Sequence, residues 1–259
     1  MAEKYSTGLL KEMLAGAPFR KIFADCVMKI YSGTAPATAD AAVAGTLLCT
    51  VSKNSGGVTP GEVSTAKQAT INITAGTTGQ TMIVVINGVD YTYTIPAGET
   101  GDLRLIALSI AKMLDEIDAI EAIANGGAGN GNVHIRSRVP GLAFTIAKGG
   151  GGGGGTATWT LTDDVVSNVR SDCLQFDAPS GGVISKPSGD VWSGVNAAGG
   201  TAAYYRICKS DDDGTESPTQ PRAQGAISTS GAELNLSSVN LAAGATTTID
   251  QFSLTLPAQ

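Results

Sequence analysis

Apolar residues alternate with small polar ones over much of this chain, most densely near its end. Between Ser228 and Leu236, and again between Ile249 and Pro257, leucine, isoleucine and phenylalanine are spaced by serine, threonine, asparagine and alanine. A period of two sends one set of side chains to a core and the other toward water or a neighbouring subunit, which predicts short strands. The same pattern predicts strands at 27–31 and 46–51, at 69–73, 82–86 and 89–95, at 133–137 and 142–146, and at 156–161 and 204–208. Asn87-Gly88 predicts a hairpin between the strands on either side of it, because both turn positions must accept positive φ.

Two segments depart from that period. Leu9, Leu10, Met13, Leu14, Phe19, Ile22 and Phe23 fall near helical spacing, with Ser6 and Thr7 available as caps. Pro18 cannot donate a helical hydrogen bond, so the segment reads as a short helix, a break at 16–18 and a second turn. From 103 to 123, Leu103, Ile106, Ala107, Ile110, Leu114, Ile117 and Ile120 mark one face, with Lys112, Asp115, Glu116 and Asp118 mainly opposite. That predicts one long amphipathic helix.

Glycine divides the chain. Gly56-Gly57 and the seven glycines of 149–155 offer no side chains to pack, and the second run reads as a flexible linker. The predicted fold is mainly β: an outer β-sandwich made from 1–55 and 156–259, with an N-terminal helical segment, interrupted by a small inserted α+β domain at 58–148. Trp159, Phe176, Trp192, Tyr205 and Phe252 are the bulky side chains expected to fill the outer core.

With 42% apolar residues in 259, the chain can bury a proper core. Its net charge of −6 and lack of clustered Lys and Arg give no basis for nucleic acid or an anionic membrane as partner. No stretch reaches the roughly 18 apolar residues of a membrane helix, and the N-terminus lacks the pattern of a signal peptide, so cytosolic synthesis is expected.

Candidate chemistry is sparse. His134, the only histidine, stands opposite Val133 and Ile135 and reads as a solvent-facing strand residue rather than a general base. No Gly-x-Ser-x-Gly elbow precedes a helix, and Thr156 rather than a Lys-Ser or Lys-Thr pair follows the glycine run, so neither a hydrolase nor a phosphate loop is indicated. No enzyme and no cofactor are expected. Asp211, Asp212, Asp213 and Glu216 around Gly214 have the composition of a hard-cation loop without the alternating ligands of an EF-hand, and read as a solvated turn without metal.

Parity places Cys49 with Leu47 and Val51 on a core side. It turns Cys173 away from Leu174 and Phe176, and Cys208 away from Tyr205 and Ile207. Cys173 and Cys208 are therefore candidate intersubunit or disulfide cysteines, with free thiols as the alternative. Leu10, Met13, Leu14, Phe19 and Phe23 are candidates for an anchor, since terminal apolar helices gain stability by packing on a neighbour. Tyr91 and Tyr93 alternate on one strand and suit either sugar stacking or a core.

The opening Tyr5-Ser6-Thr7-Gly8-Leu9, the run from Lys29 to Asp40, and the segments 182–194, 199–206, 229–236 and 249–252 together resemble a family of short bacteriophage virion structural proteins. The middle portion, through 87–94 and 140–145, is similar to small domains that recur in phage structural and bacterial surface proteins. The resemblance implies a non-enzymatic part of a phage particle, made in the host bacterial cytoplasm and assembled as a homo-oligomer with other virion structural proteins. An accessory head or neck protein of the decoration or collar kind is the expected placement. A tail component (tube, tip or fibre-associated) and host-surface or carbohydrate binding through the inserted domain are the alternatives.

Overall fold

A computed structural model of the chain describes residues 3–59, 64–126, 131–150, 155–165 and 172–255. The chain divides into two compact units, Met1–Val63 with Arg170–Gln259, and Ser64–Val169 inserted in the sequence of the first. In chain order the first unit opens with β1 (Lys4–Tyr5), α1 (Thr7–Leu14), α2 (Phe19–Ile22), β2 (Cys26–Tyr31) and β3 (Leu47–Lys53). The second holds β4 (Gln68–Ala75), β5 (Thr81–Ile86), β6 (Val89–Thr94), α3 (Leu103–Asp115), β7 (Ile120–Ala124), β8 (Gly131–Ser137), β9 (Ile146–Lys148) and β10 (Thr158–Val165). The first then resumes with β11 (Val183–Ser185), β12 (Trp192–Val195), β13 (Gly200–Thr201), β14 (Tyr204–Lys209), β15 (Arg222–Ser228), β16 (Leu234–Asn235), β17 (Asn240–Leu241), β18 (Thr246–Ile249) and β19 (Ser253–Thr255).

The protein is mainly β, as the alternating pattern predicts. The first unit is built on one sheet in the order β1-β15-β14-β2-β3-β12-β18, antiparallel throughout, with β16 lying parallel beside β15. One face of this sheet carries Met28, Ile30, Trp192, Tyr205, Ile207 and Ala223 into an apolar core. The ribbon β11–β19, helices α1 and α2, and the segment with Leu174 and Phe176 supply the other side of that core. Phe176 meets Trp192 edge-on at 5.3 Å, and Phe252 meets Tyr205 the same way at 5.5 Å, so four of the expected bulky residues form one aromatic cluster. A bulge between the Ile30 and Tyr31 pairs shifts parity at the start of β3: Leu48 is buried and Leu47 half exposed, while Cys49 and Val51 stay in the core.

The second unit has a four-stranded antiparallel sheet, β10-β4-β8-β7, and a three-stranded one, β6-β5-β9. Its core gathers Ile71 and Ile73 of β4, Met82 and Val84 of β5, Val133 and Ile135 of β8, and Ile106, Ile110 and Leu114 of α3. Asp102 caps α3 by accepting from Arg104 N and Leu105 N, both at 3.1 Å. The hairpin at Asn87-Gly88 is present, with both residues at positive φ.

Three sequence expectations are corrected. Strand β10, expected in the outer sandwich, pairs with β4 in the register Trp159 to Ile73 and Leu161 to Ile71, and Trp159 is buried in the second core. The glycine run does not tether one unit to the other. The Gly149 amide donates to Ile83 O at 2.8 Å and Gly155 O accepts from Thr81 N at 3.0 Å, which fastens both ends of the run to β5. Residues 151–154 of that run lie outside the described residues. The helix expected to reach 123 stops at Asp115, and 120–124 becomes an edge strand paired with β8. Ile120 and Ala122 are buried on alternate positions, the strand period, whereas Ile117 and Ile120, three residues apart, also fit a helix and carried its apolar spacing past the observed end.

Candidate functional site

The N-terminal helix is firmly mounted. Ser6, fully buried, caps α1 by accepting from Leu9 N at 3.1 Å; its hydroxyl also donates to Gln220 O at 2.7 Å and accepts from Arg222 N at 2.8 Å. Thr7 donates to both oxygens of Asp40, from its amide at 2.8 Å and its hydroxyl at 2.6 Å. Gly8 lets the helix approach the strand β15 side so closely that a Cβ there would lie 2.3 Å from Thr219 O. Leu9 faces the core, and Leu10 and Leu14, one helical turn apart, face outward at 46% and 87% exposure. Of the five anchor candidates these two stand free and Met13 is partly buried. Phe19 and Phe23 are corrected: both are buried in the first unit's own core, with ring centroids 4.7 Å apart, because the turn after Pro18 folds them inward.

The second face of the main sheet, which parity alone sends to water, is also buried. The segment 32–46 and the turn after β14 cover it. Arg222, fully buried, meets Asp212 through two bonds of 2.5 and 2.8 Å and donates to Asp40 O at 3.3 Å and Thr215 O at 2.8 Å. Arg206, also fully buried, holds Gln224 Oε1 at 2.8 Å and Ala41 O at 3.1 Å, while its Nη1 has no partner among the described residues. Burial, and then the like charge of Arg222, lower the Arg206 pKa. Lys29 donates to Asp212 O, and Tyr31 stacks on Tyr204 at 5.1 Å. The acidic turn is therefore more than a solvated loop: Asp212 points inward and is bound by Arg222, so it is not free to ligate a cation. The run of carboxylates around it hid this from the sequence. Asp213 remains outside and accepts from Thr215, which lowers its pKa.

The cysteine expectation fails on burial. Cys173 and Cys208 are both closed off from solvent, as are Cys26 and Cys49, and none of the four is in a disulfide. Cys208 does sit beside Arg206 on the polar side of β14, but that side is sealed, and burial pushes its thiol up to about 12. Burial likewise pushes Cys49 up to about 11. Neither Cys173 nor Cys208 can reach a neighbouring subunit in the folded protein.

In the second unit, Tyr91 and Tyr93 are partly buried against the core, and the Tyr93 hydroxyl donates to Glu99 at 2.5 Å. His134 is exposed on the outer face of β8. Its Nδ1 lies 3.3 Å from the Thr70 hydroxyl, which donates to Asp164 at 2.5 Å. The imidazole is thus oriented by Thr70 rather than placed to take its proton. The Thr70–Asp164 pair depends on strand β10 joining this sheet, which the sequence reading placed elsewhere. No family model matches the chain, and no curated protein matches it.

Proposed function

We propose that the protein is a non-enzymatic structural component of a bacteriophage particle, an accessory head or neck protein of the decoration or collar kind. It is made in the host cytoplasm and assembles as a homo-oligomer on other virion structural proteins, without nucleic acid or membrane as partner. The observation that carries this reading is the mounting of α1. A helix fixed by Ser6, Thr7 and Leu9 yet displaying Leu10 and Leu14 to solvent is built to meet an apolar surface. Its remaining support is the resemblance of the outer segments to short virion proteins. A separate compact unit inserted in the chain suits an accessory position, where it can project from a lattice.

The test uses particles purified from infected cells, with the wild-type chain and a Leu10→Asp/Leu14→Asp variant. Both side chains are exposed, so the variant should fold with an unchanged circular dichroism spectrum. The account expects wild-type label on heads or necks and loss of incorporation in the variant. Label confined to the tail would shift the placement to a tail component, and absence of the protein from particles would overturn the reading.

A further inference from the structure

From the open face of the second unit's sheet, we infer a binding site for a neutral, hydroxyl-rich ring: a single sugar residue. This goes beyond the virion reading and does not rest on it. Two cross-strand rows make the site. Thr70, His134 and Ile123 stand side by side on β4, β8 and β7, and Gln68, Arg136 and Glu121 form the next row. With strands about 4.8 Å apart and same-face neighbours about 7 Å apart, the patch spans about 10 by 7 Å, the footprint of one pyranose. A depression of about 240 Å³ lies over it, lined by these residues and Asp164.

The hydrogen-bonding capacity of the patch decides the ligand class. Arg136 Nε is bound to Glu121 Oε2 at 2.6 Å, which neutralises the pair and leaves both terminal guanidinium nitrogens and Glu121 Oε1 without partners among the described residues. The Thr70 proton is committed to Asp164, so the contact with His134 requires Nδ1–H as donor; in the neutral ring this makes Nε2 an acceptor, with no partner among the described residues. The Gln68 side-chain amide has no hydrogen-bond partner among the described residues. Donors and acceptors are therefore interleaved, with no uncompensated cation to select an anion. Asp164, which accepts from Thr70 and has no cation paired with it among the described residues, adds one negative charge that disfavours an anion; hydroxyl groups, which donate and accept at once, meet both the donors of Arg136 and the acceptors around it, whereas an ammonium would leave the Arg136 donors unmet. Ile123, 52% exposed beside His134, supplies an aliphatic surface for the C–H face of a ring. Strand β7 is the sheet edge, so a longer glycan can continue past Ile123 without meeting another strand.

Because the chain has one histidine, its ring signal reports on this site alone. The full-length protein is titrated, with the His134 Cε1–H resonance followed by NMR, against methyl glycosides of glucose, galactose, mannose, rhamnose and N-acetylglucosamine, and against acetate and methylammonium. A saturable shift with at least one neutral glycoside, larger than that with either ion, is expected. Arg136→Ala should weaken binding about tenfold, the equivalent of about 1.4 kcal/mol, and Ile123→Asp should abolish it, with unchanged thermal midpoints as the control for folding. Thr70→Val tests the positioning role: it should change the His134 tautomer signature as well as weaken binding. Competition by host surface polysaccharide would identify a glycan chain as the source, whereas response to monosaccharides alone would identify a free sugar; either supports the site. Silence across the glycosides, equal shifts with the ions, or affinity unaltered in both Arg136→Ala and Ile123→Asp would overturn it.

Discussion

The two units each present a polar strand face, and they treat it in opposite ways. On β14 and β15 of the first unit, Tyr204, Arg206, Cys208, Arg222 and Gln224 form a polar row that is buried under 32–46 and the turn bearing Asp212. On β4, β8 and β7 of the second, Thr70 with His134 and Arg136 with Glu121 stand in two adjacent rows, with His134 and Arg136 exposed and Thr70 and Glu121 half-buried. The residue types are alike, an arginine paired with a carboxylate in each. What differs, among the described residues, is whether a loop returns over the strands, and that changes what each pair does. The enclosed Arg222–Asp212 pair holds three segments together, while the open Arg136–Glu121 pair leaves hydrogen-bonding groups for a ligand.

The largest expected contrast comes from removing each carboxylate. Asp212→Ala strands a fully buried guanidinium and should cost about 3–5 kcal/mol in urea unfolding, whereas Glu121→Ala, at an exposed pair, should cost about 0–1 kcal/mol. Equal costs would erase the distinction between the faces. Next in size are the close strand approaches of the first unit. Gly194→Ala would put a Cβ 2.2 Å from Thr50 O, where β12 runs antiparallel beside β3. That should cost about 1–3 kcal/mol by the same assay, and a neutral result would mean the two strands do not approach as described.

Alkali gives the third contrast. The Cys208 thiol, ordinarily near 9, is raised to about 12 in the folded chain by burial. An acid whose folded pKa is raised contributes stability fully present below its unfolded value and lost as pH rises toward the folded one. Stability should therefore fall between those values, by about 1.4 kcal/mol per pH unit for this group. Urea midpoints across that range should fall less steeply in Cys208→Ala; parallel curves would mean the thiol is not enclosed. The smallest effect is on the helix mount: Ser6→Ala should cost about 0.5–2 kcal/mol through loss of the N-cap, read by thermal melting.

Much of the fold was legible. Alternation located β2, β3, β5, β6, β8 and β14, the Asn87-Gly88 hairpin followed from turn chemistry, and Pro18 divided α1 from α2 as its missing donor requires. What alternation cannot say is whether the polar side of a strand meets water. It sorted Cys208 and Arg206 correctly onto the side opposite Tyr205 and Ile207, yet the covering segment 32–46 has no period of its own, so their burial left no mark in the pattern. Partner choice between strands was equally silent: β10 reads as a strand from its own residues, but its pairing with β4 is a long-range fact. That one misplacement also concealed Asp164 as the neighbour of Thr70, and with it the polar patch around His134. The second unit's open face was the easier one, since exposure is what the pattern assumes.

The most direct test of the contrast labels the native full-length chain with iodoacetamide and diethylpyrocarbonate together and reads the modified peptides by mass spectrometry. The account predicts modified His134 and unmodified Cys208, with Cys208 alkylated only after denaturation. Alkylation of Cys208 in the native protein at the rate of an open thiol, or protection of His134, would contradict it.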